Sequence, residues 1–294
     1  MPTVGLLHTV PALAATFDGM LAAASGSSGL SGLSGLSGSR LDREHVVDAW
    51  MLETAIREGV TPEVEARVAS HLHHLAASGA DAVLVTCSSI GEAAEAAALG
   101  LDIPVVRVDA AMAAEAVRLA GGLPAPHIAV LATNTATLGP TTRLLEREVA
   151  AQGSSATVAA TVVEGAASAR GAGDQQTHDR LIADAVRAAD ASVIVLAQAS
   201  MAAAAEGAGV DVPVLTSPEG GVARLLESLT PPGPAAPADR ANRSTPPGPG
   251  GPPPASLGGA LPTTPAPAPT TTSTHPSDLA QHAVSDLPPH GDHP

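Results

Sequence analysis

The only cysteine of this 294-residue chain, Cys87, stands in Thr86-Cys87-Ser88-Ser89, after the apolar run AVLV and before an Ala-rich stretch that starts near Ile90. A thiol between a strand's carboxyl end and a helix's start faces unpaired amides and the positive end of the helix dipole. That setting is expected to lower its pKa from about 8.5 and to favour the thiolate near neutral pH. A thiolate can take up and return a proton, or add to an unsaturated carbon. Ser88, Ser89 and the local amides could hold a carboxylate beside it. The plain alternative is a buried cysteine serving as a small hydrophobe. Its place among hydroxyls at a strand end weighs toward chemistry.

Similar clusters follow other apolar runs: His8-Thr9, then Thr133-Asn134-Thr135 with Thr137, and Ser217 with Glu219. Any one of them can be a helix N-cap, Asn134 and Ser217 most naturally. In an open α/β sheet, however, ligands bind beyond the carboxyl ends of the strands. Together with Cys87 these groups describe a small, neutral, hydroxyl-lined pocket suited to a small carboxylate. Asp174 and His178 open a further helix, where Asp174 can be a cap and His178 a surface residue. His71, His73 and His74 lie beside an apolar stripe of Val64, Val68, Leu72 and Leu75, without a carboxylate or thiol at ligand spacing, so no metal site is expected. No GxGxxG or P-loop pattern opens a helix, and no nucleotide cofactor is expected.

The elements that must position these residues alternate. Apolar runs predict strands over Thr3–Leu7, His45–Val47, Ala82–Val85, Val105–Val108, Ile128–Leu131, Val158–Val163, Val193–Leu196 and Val212–Leu215. Helices are predicted over Pro11–Ala24, Pro62–Ser78, Ile90–Leu99, Ala110–Ala120, Pro140–Gln152, Gln175–Ala188, Met201–Glu206 and Glu219–Leu229. Pro62 and Pro140 suit a first helical turn, Gly79 and Gly153 a helix end. Strand-then-helix order argues for an α/β protein with parallel sheets. The segments VLVTCSSIGEAAEAA and VIVLAQASMAAAA look alike, as if two halves faced each other with these clusters on opposite walls of a cleft.

Composition bounds the partners. Of 27 prolines, 9 fall in residues 1–229 and 18 in residues 230–294, which reads as a folded region and a disordered Pro/Ala/Thr-rich tail. Ser25–Gly38 is a Gly/Ser repeat, read as a flexible insert. The net charge is −15, with 12 Arg against 25 acidic residues in the first 229, and Phe17 and Trp50 are the only aromatic residues. Polyphosphate would be repelled and no base-stacking platform can be built, so nucleic acid is excluded as a partner. One cysteine excludes an internal disulfide. No basic leader and no spanning apolar run are evident, so a cytoplasmic protein without a membrane partner is expected. Homo-oligomerisation is left open.

The motifs GLLHT, VLVTCSS, IAVLATNTATLGPT, VIVLAQASM and PVLTSPEGG, in this order, resemble those of the aspartate/glutamate racemase superfamily over roughly Thr3–Leu229. The resemblance implies two similar doubly wound α/β halves with parallel sheets facing across a cleft. On that reading half one spans about 1–109 plus 212–229 and half two about 110–211, with the insert at 25–39 and the tail at 230–294. It implies a cofactor-independent isomerase or racemase acting on a small carboxylate, amino acid or hydantoin-like, with Cys87 as acid/base. Thr86, Ser88, Ser89, Thr133, Asn134 and Thr135 match family positions that bind the substrate carboxylate; His8, Thr9, Ser200 and Ser217 complete the expected binding set. The superfamily's racemases carry a second cysteine, and at that position this chain has Gln198. An amide is no general base near neutral pH, so a two-thiol racemase is excluded. Gln198, His178, Asp174 and Glu219 are the candidates for the opposite face. Single-cysteine decarboxylation, double-bond isomerisation and a non-catalytic carboxylate-binding role are the alternatives.

Overall fold

More exposed edge strands flank largely buried central strands in both sheets of the molecule. The first half runs β1 (Thr3–His8), α1 (Pro11–Gly26), β2 (Asp42–Val47), α2 (Ala49–Glu58), α3 (Pro62–Ala77), β3 (Ala82–Val85), a 3-10 turn (Ser88–Ile90), α4 (Gly91–Ala98), β4 (Val105–Arg107) and α5 (Ala110–Ala120). The second repeats it: β5 (His127–Ala132), α6 (Thr135–Ala151), β6 (Thr157–Val162), α7 (Ala166–Gly171), α8 (Gln175–Ala188), β7 (Val193–Leu196), a 3-10 turn (Ala199–Met201), α9 (Ala202–Glu206), β8 (Val214–Thr216) and α10 (Ser217–Ser228). The computed structural model describes residues 1–26 and 41–230. The expected Gly/Ser insert beyond Gly26 and the expected tail beyond Thr230 lie outside the described residues.

Both sheets are parallel and have the same strand order, β2-β1-β3-β4 and β6-β5-β7-β8. The register places Leu6 opposite Leu84 and Leu7 opposite Val85. β3 and β7 are buried along their whole length, which is why both read as unbroken apolar runs. The edge strand β2 begins Asp42-Arg43-Glu44, and its charged start hid three of its six residues from a reading based on apolar runs. On one face of the first sheet Leu7, Val83 and Val85 pack with Val68, Leu72 and Leu75 of α3; on the other, Val4, Leu6 and Leu84 meet Phe17 of α1 and Leu225 of α10. Each such fully buried leucine contributes roughly 1.5–3 kcal/mol relative to exposure.

Several boundaries differ from expectation. α1 continues through Ser25 to Gly26, into the span assigned to the insert. α6 starts at Thr135, not Pro140, because Asn134 caps it by accepting the Thr137 amide at 3.0 Å; Pro140 then sits inside the helix. α2 and α7 were not predicted; they are short, and they occupy matching places after β2 and β6. Thr61 caps α3 and Pro62 follows it, as expected. Gly79 (φ 95°) and Gly153 (φ 62°) end their helices in the left-handed region that favours glycine.

The last helix of each half crosses to the other. α5 packs on β5 and β7, and α10 packs on α1, β3 and β4, with α5 and α10 touching each other. The segment 212–229, assigned whole to half one, is therefore divided: β8 pairs with β7 in the second sheet, while α10 covers the first. The described residues all belong to one compact unit, Met1–Ala236.

Candidate active site

Cys87 and Gln198 occupy the same place in the two halves. Each is the extended residue just beyond the third strand, at φ −126°, ψ 115° and φ −124°, ψ 133°, and each precedes a 3-10 turn. The two line one cleft, together with Thr9, Thr86, Ser88 and Ser200 of the expected set. Val10, Leu13, Leu52, Thr137, Ala197 and Ala199 complete its wall. The cleft is closed to about 40 Å³, against the roughly 300 Å³ or more of a typical ligand pocket. No arginine and no acidic residue lines it.

By exposed surface Cys87 is half-buried, and desolvation dominates its thiol within the packed cleft. Removal from water pushes its pKa up, against hydrogen bonding from the Thr9 hydroxyl, the Ser89 hydroxyl and amide, and the Ile90 amide. The expectation of a lowered pKa is overturned. The helix-start amides are present as anticipated, but they do not repay the loss of solvent. In this state the group is a thiol, a proton donor.

Two contacts join the walls. Ser88 Oγ donates to the Ala197 carbonyl at 3.2 Å, and Ser89 Oγ lies 3.0 Å from Thr137 Oγ1. Both serines are buried, so part of their expected capacity for a carboxylate is already used across the cleft. Within the second half, Gln198 Oε1 accepts from the Thr133 amide at 2.6 Å and from the Thr133 hydroxyl at 2.8 Å. Thr133 thus acts through Gln198.

Behind Cys87 runs a chain of polar groups. Thr86 Oγ1 donates to the Leu7 carbonyl at 3.1 Å, which spends its only proton. His8 Nδ1–H must then donate to Thr86 Oγ1, at 2.9 Å, leaving His8 Nε2 to accept from His45 Nδ1–H at 3.0 Å. His45 Nε2 lies 3.6 Å from Asp18, which also pairs with Arg43. Burial, and then the charge of His45, lower the His8 pKa to about 4, so His8 is neutral and orients Thr86. His8 is fully buried and is not part of the cleft wall.

The remaining candidates stand elsewhere. Asn134 is a cap, with its oxygen on Thr137. Thr135 is exposed and opens on a separate cavity with Glu92 and Arg143. Ser217 is buried in the first turn of α10, after Thr216 at the N-cap, and its hydroxyl has no partner among the described residues. His178 is buried under α7, its Nδ1 on the Ala166 carbonyl at 2.9 Å. Asp174 caps α8 at the surface, accepting from the Thr177 amide at 3.0 Å. Glu219 is exposed. None of these six lines the Cys87 cleft, so His178, Asp174 and Glu219 are not second-face partners in this geometry. Arg107 is likewise committed, to Asp109 in a bidentate pair at 2.9 Å and to Glu95 at 3.2 Å. His71 and Arg67 hold Asp48. Leu52 was missed because α2 was; Val10 and Leu13 carried no signal beyond following His8-Thr9.

The fold has relatives among solved structures. Aspartate racemase from Picrophilus torridus is 13% identical, with 78% of this chain and 94% of that one covered at a TM-score of 0.57. A glutamate racemase of Bacillus anthracis is 17% identical over 76% and 80% of the two chains, with a TM-score of 0.54. An allantoin racemase from Klebsiella pneumoniae is 18% identical over 78% and 87%, with a TM-score of 0.51. In sequence, no curated protein matches the chain. Among the described residues no helix is long and apolar enough to cross a membrane. The two sheets of one strand order, their facing third-strand ends and the match of residues 42–225 to the Asp/Glu/Hydantoin racemase model agree: the chain belongs to the Asp/Glu/hydantoin racemase family.

Proposed function

We propose that the chain is a cofactor-independent enzyme that moves a proton at the carbon next to a carboxylate, with Cys87 as its acid/base. The observation that carries this reading is the position of Cys87 at the end of a buried central strand, facing Gln198 across a cleft walled by hydroxyls, amides and small apolar groups. A small carboxylate, amino acid or hydantoin-like, fits the absence of a charged wall. Because the resting group is a thiol, it must release its proton to solvent before it can take one from carbon.

Replacing Cys87 by Ala is expected to reduce turnover by at least about a thousandfold while leaving the thermal midpoint within a few degrees. Activity retained in Cys87→Ala would overturn the proposal. The same buried thiol favours a second reading, a carboxylate-binding protein without turnover. Hydrogen–deuterium exchange at the substrate's α-carbon separates the two: the enzyme exchanges it and the binding protein does not.

A further inference from the structure

The orientation of Gln198 is decided by its neighbour. A backbone N–H can only donate, so the side-chain atom 2.6 Å from the Thr133 amide must be the oxygen, and the NH2 end points the other way. The Thr133 hydroxyl donates to the same oxygen. Among the described residues Nε2 has no partner, and Gln198 borders the cleft opposite Cys87. A second donor waits nearby. Thr9 Oγ1 is buried, lines the same cleft and, beyond the Cys87 thiol it faces, has no partner among the described residues. Thiol sulfur is a weak acceptor, so this buried hydroxyl still gains by meeting a carboxylate oxygen.

We infer that Gln198 Nε2–H, seconded by the Thr9 hydroxyl, is a pre-aimed donor pair for one carboxylate of the substrate, and that the adjacent carbon exchanges its proton on the Cys87 side alone. This rests on the function proposed above. Cys87 first releases its proton to solvent; when the α-carbon then loses its proton, the C–H bond breaks and a new S–H bond forms at the Cys87 thiolate. The electron pair moves into the carboxylate, giving an enediolate whose extra charge sits on oxygens facing the donors. Return of the proton from the same sulfur restores the C–H bond on the same face. Gln198 has no proton to give at neutral pH, so it holds charge where a second thiol would have delivered a proton. The outcome is exchange with retained configuration.

The test uses the full chain in deuterium oxide with each enantiomer of aspartate, glutamate and alanine, followed by proton NMR and chiral chromatography, with binding read by thermal shift. At least one probe is expected to bind and to exchange its α-proton without inversion. Gln198→Glu keeps the acceptor for Thr133 and its fold, yet replaces the donor by an anionic oxygen. Gln198→Glu and Gln198→Leu should each weaken binding and exchange about ten- to a hundredfold, the range of one hydrogen bond to a charged group. Gln198→Cys should convert exchange from retention to inversion. Wild-type inversion, or affinity unchanged in both Gln198→Glu and Gln198→Leu, or no binding of any probe, overturns the inference. Binding that depends on Gln198 without any exchange would instead refute the proposed function and leave the donor pair standing.

Discussion

His8 converts burial into a pH dependence. Its folded pKa of about 4 lies below the ordinary value of 6.5, because the buried ring resists charging and His45 stands beside it. Between those two values the unfolded chain binds more protons than the folded one. Stability is therefore complete above pH 6.5 and declines as the pH falls toward 4. The loss from this group reaches about 3 kcal/mol at most. Urea midpoints at pH 5 and pH 7.5 should show this decline in the wild type and a smaller one in His8→Gln. Equal declines would mean that His8 is protonated in the fold. The charge state of Cys87 follows the same logic of desolvation, and there the sequence misled: a helix start argues for a thiolate, but how much water the thiol keeps depends on the opposite half. Asp174 and His178 were chemically plausible for the same reason, since residue type alone does not say which wall a side chain faces.

The helices carry their own punctuation, and it can be tested apart from chemistry. Asn134→Ala removes the cap of α6 and frees the Thr137 amide, which should cost about 1 kcal/mol in chemical denaturation. Asp174→Ala should lower the thermal midpoint and leave turnover unchanged, because the carboxylate serves only the Thr177 amide at the surface. A loss of turnover in Asp174→Ala with folding intact would return Asp174 to the site. These caps were legible as Asn and Asp before periodic helices. Pro140 was read as a helix start by its type, but the stronger cap at Asn134 sets the boundary five residues earlier, and the helix tolerates the proline inside its second turn. The short α2 had no such punctuation: Asp48, in N-cap position, gives its carboxylate to Arg67 and His71 instead.

At the scale of the molecule, the halves are joined by exchange of their last helices and by contacts at the cleft. Gly221 of α10 lies where a side chain would meet the Val108 carbonyl at 2.9 Å, so the close approach of α10 to the end of β4 requires glycine. Gly221→Val should destabilise the protein by roughly 1–3 kcal/mol or more, read from its urea midpoint. A neutral result would mean that α10 is held more loosely than its packing implies. The ion pairs Arg143–Glu92 and Arg147–Glu95 also bridge the halves, at 2.6 and 2.9 Å, but their side chains are largely exposed. Glu92→Gln should accordingly change stability by less than about 1 kcal/mol and add little salt dependence.

By itself the amino-acid sequence determined the alternation of strands and helices, the central strands and the family, because buried parallel strands must be apolar throughout and strand-end motifs are local. It also located Cys87 and pointed to the segment holding Gln198 as its counterpart in the other half. Only the tertiary structure decided which strand-end groups share a wall, since that depends on how two sheets built from separate halves of the chain are set against each other. It separated Thr9, Thr86, Ser88, Gln198 and Ser200 from Asn134, Thr135, Ser217, His178, Asp174 and Glu219. It turned the expected thiolate into a thiol, through the solvent that the second half excludes. And it gave Gln198 a direction, through one backbone amide that can only donate.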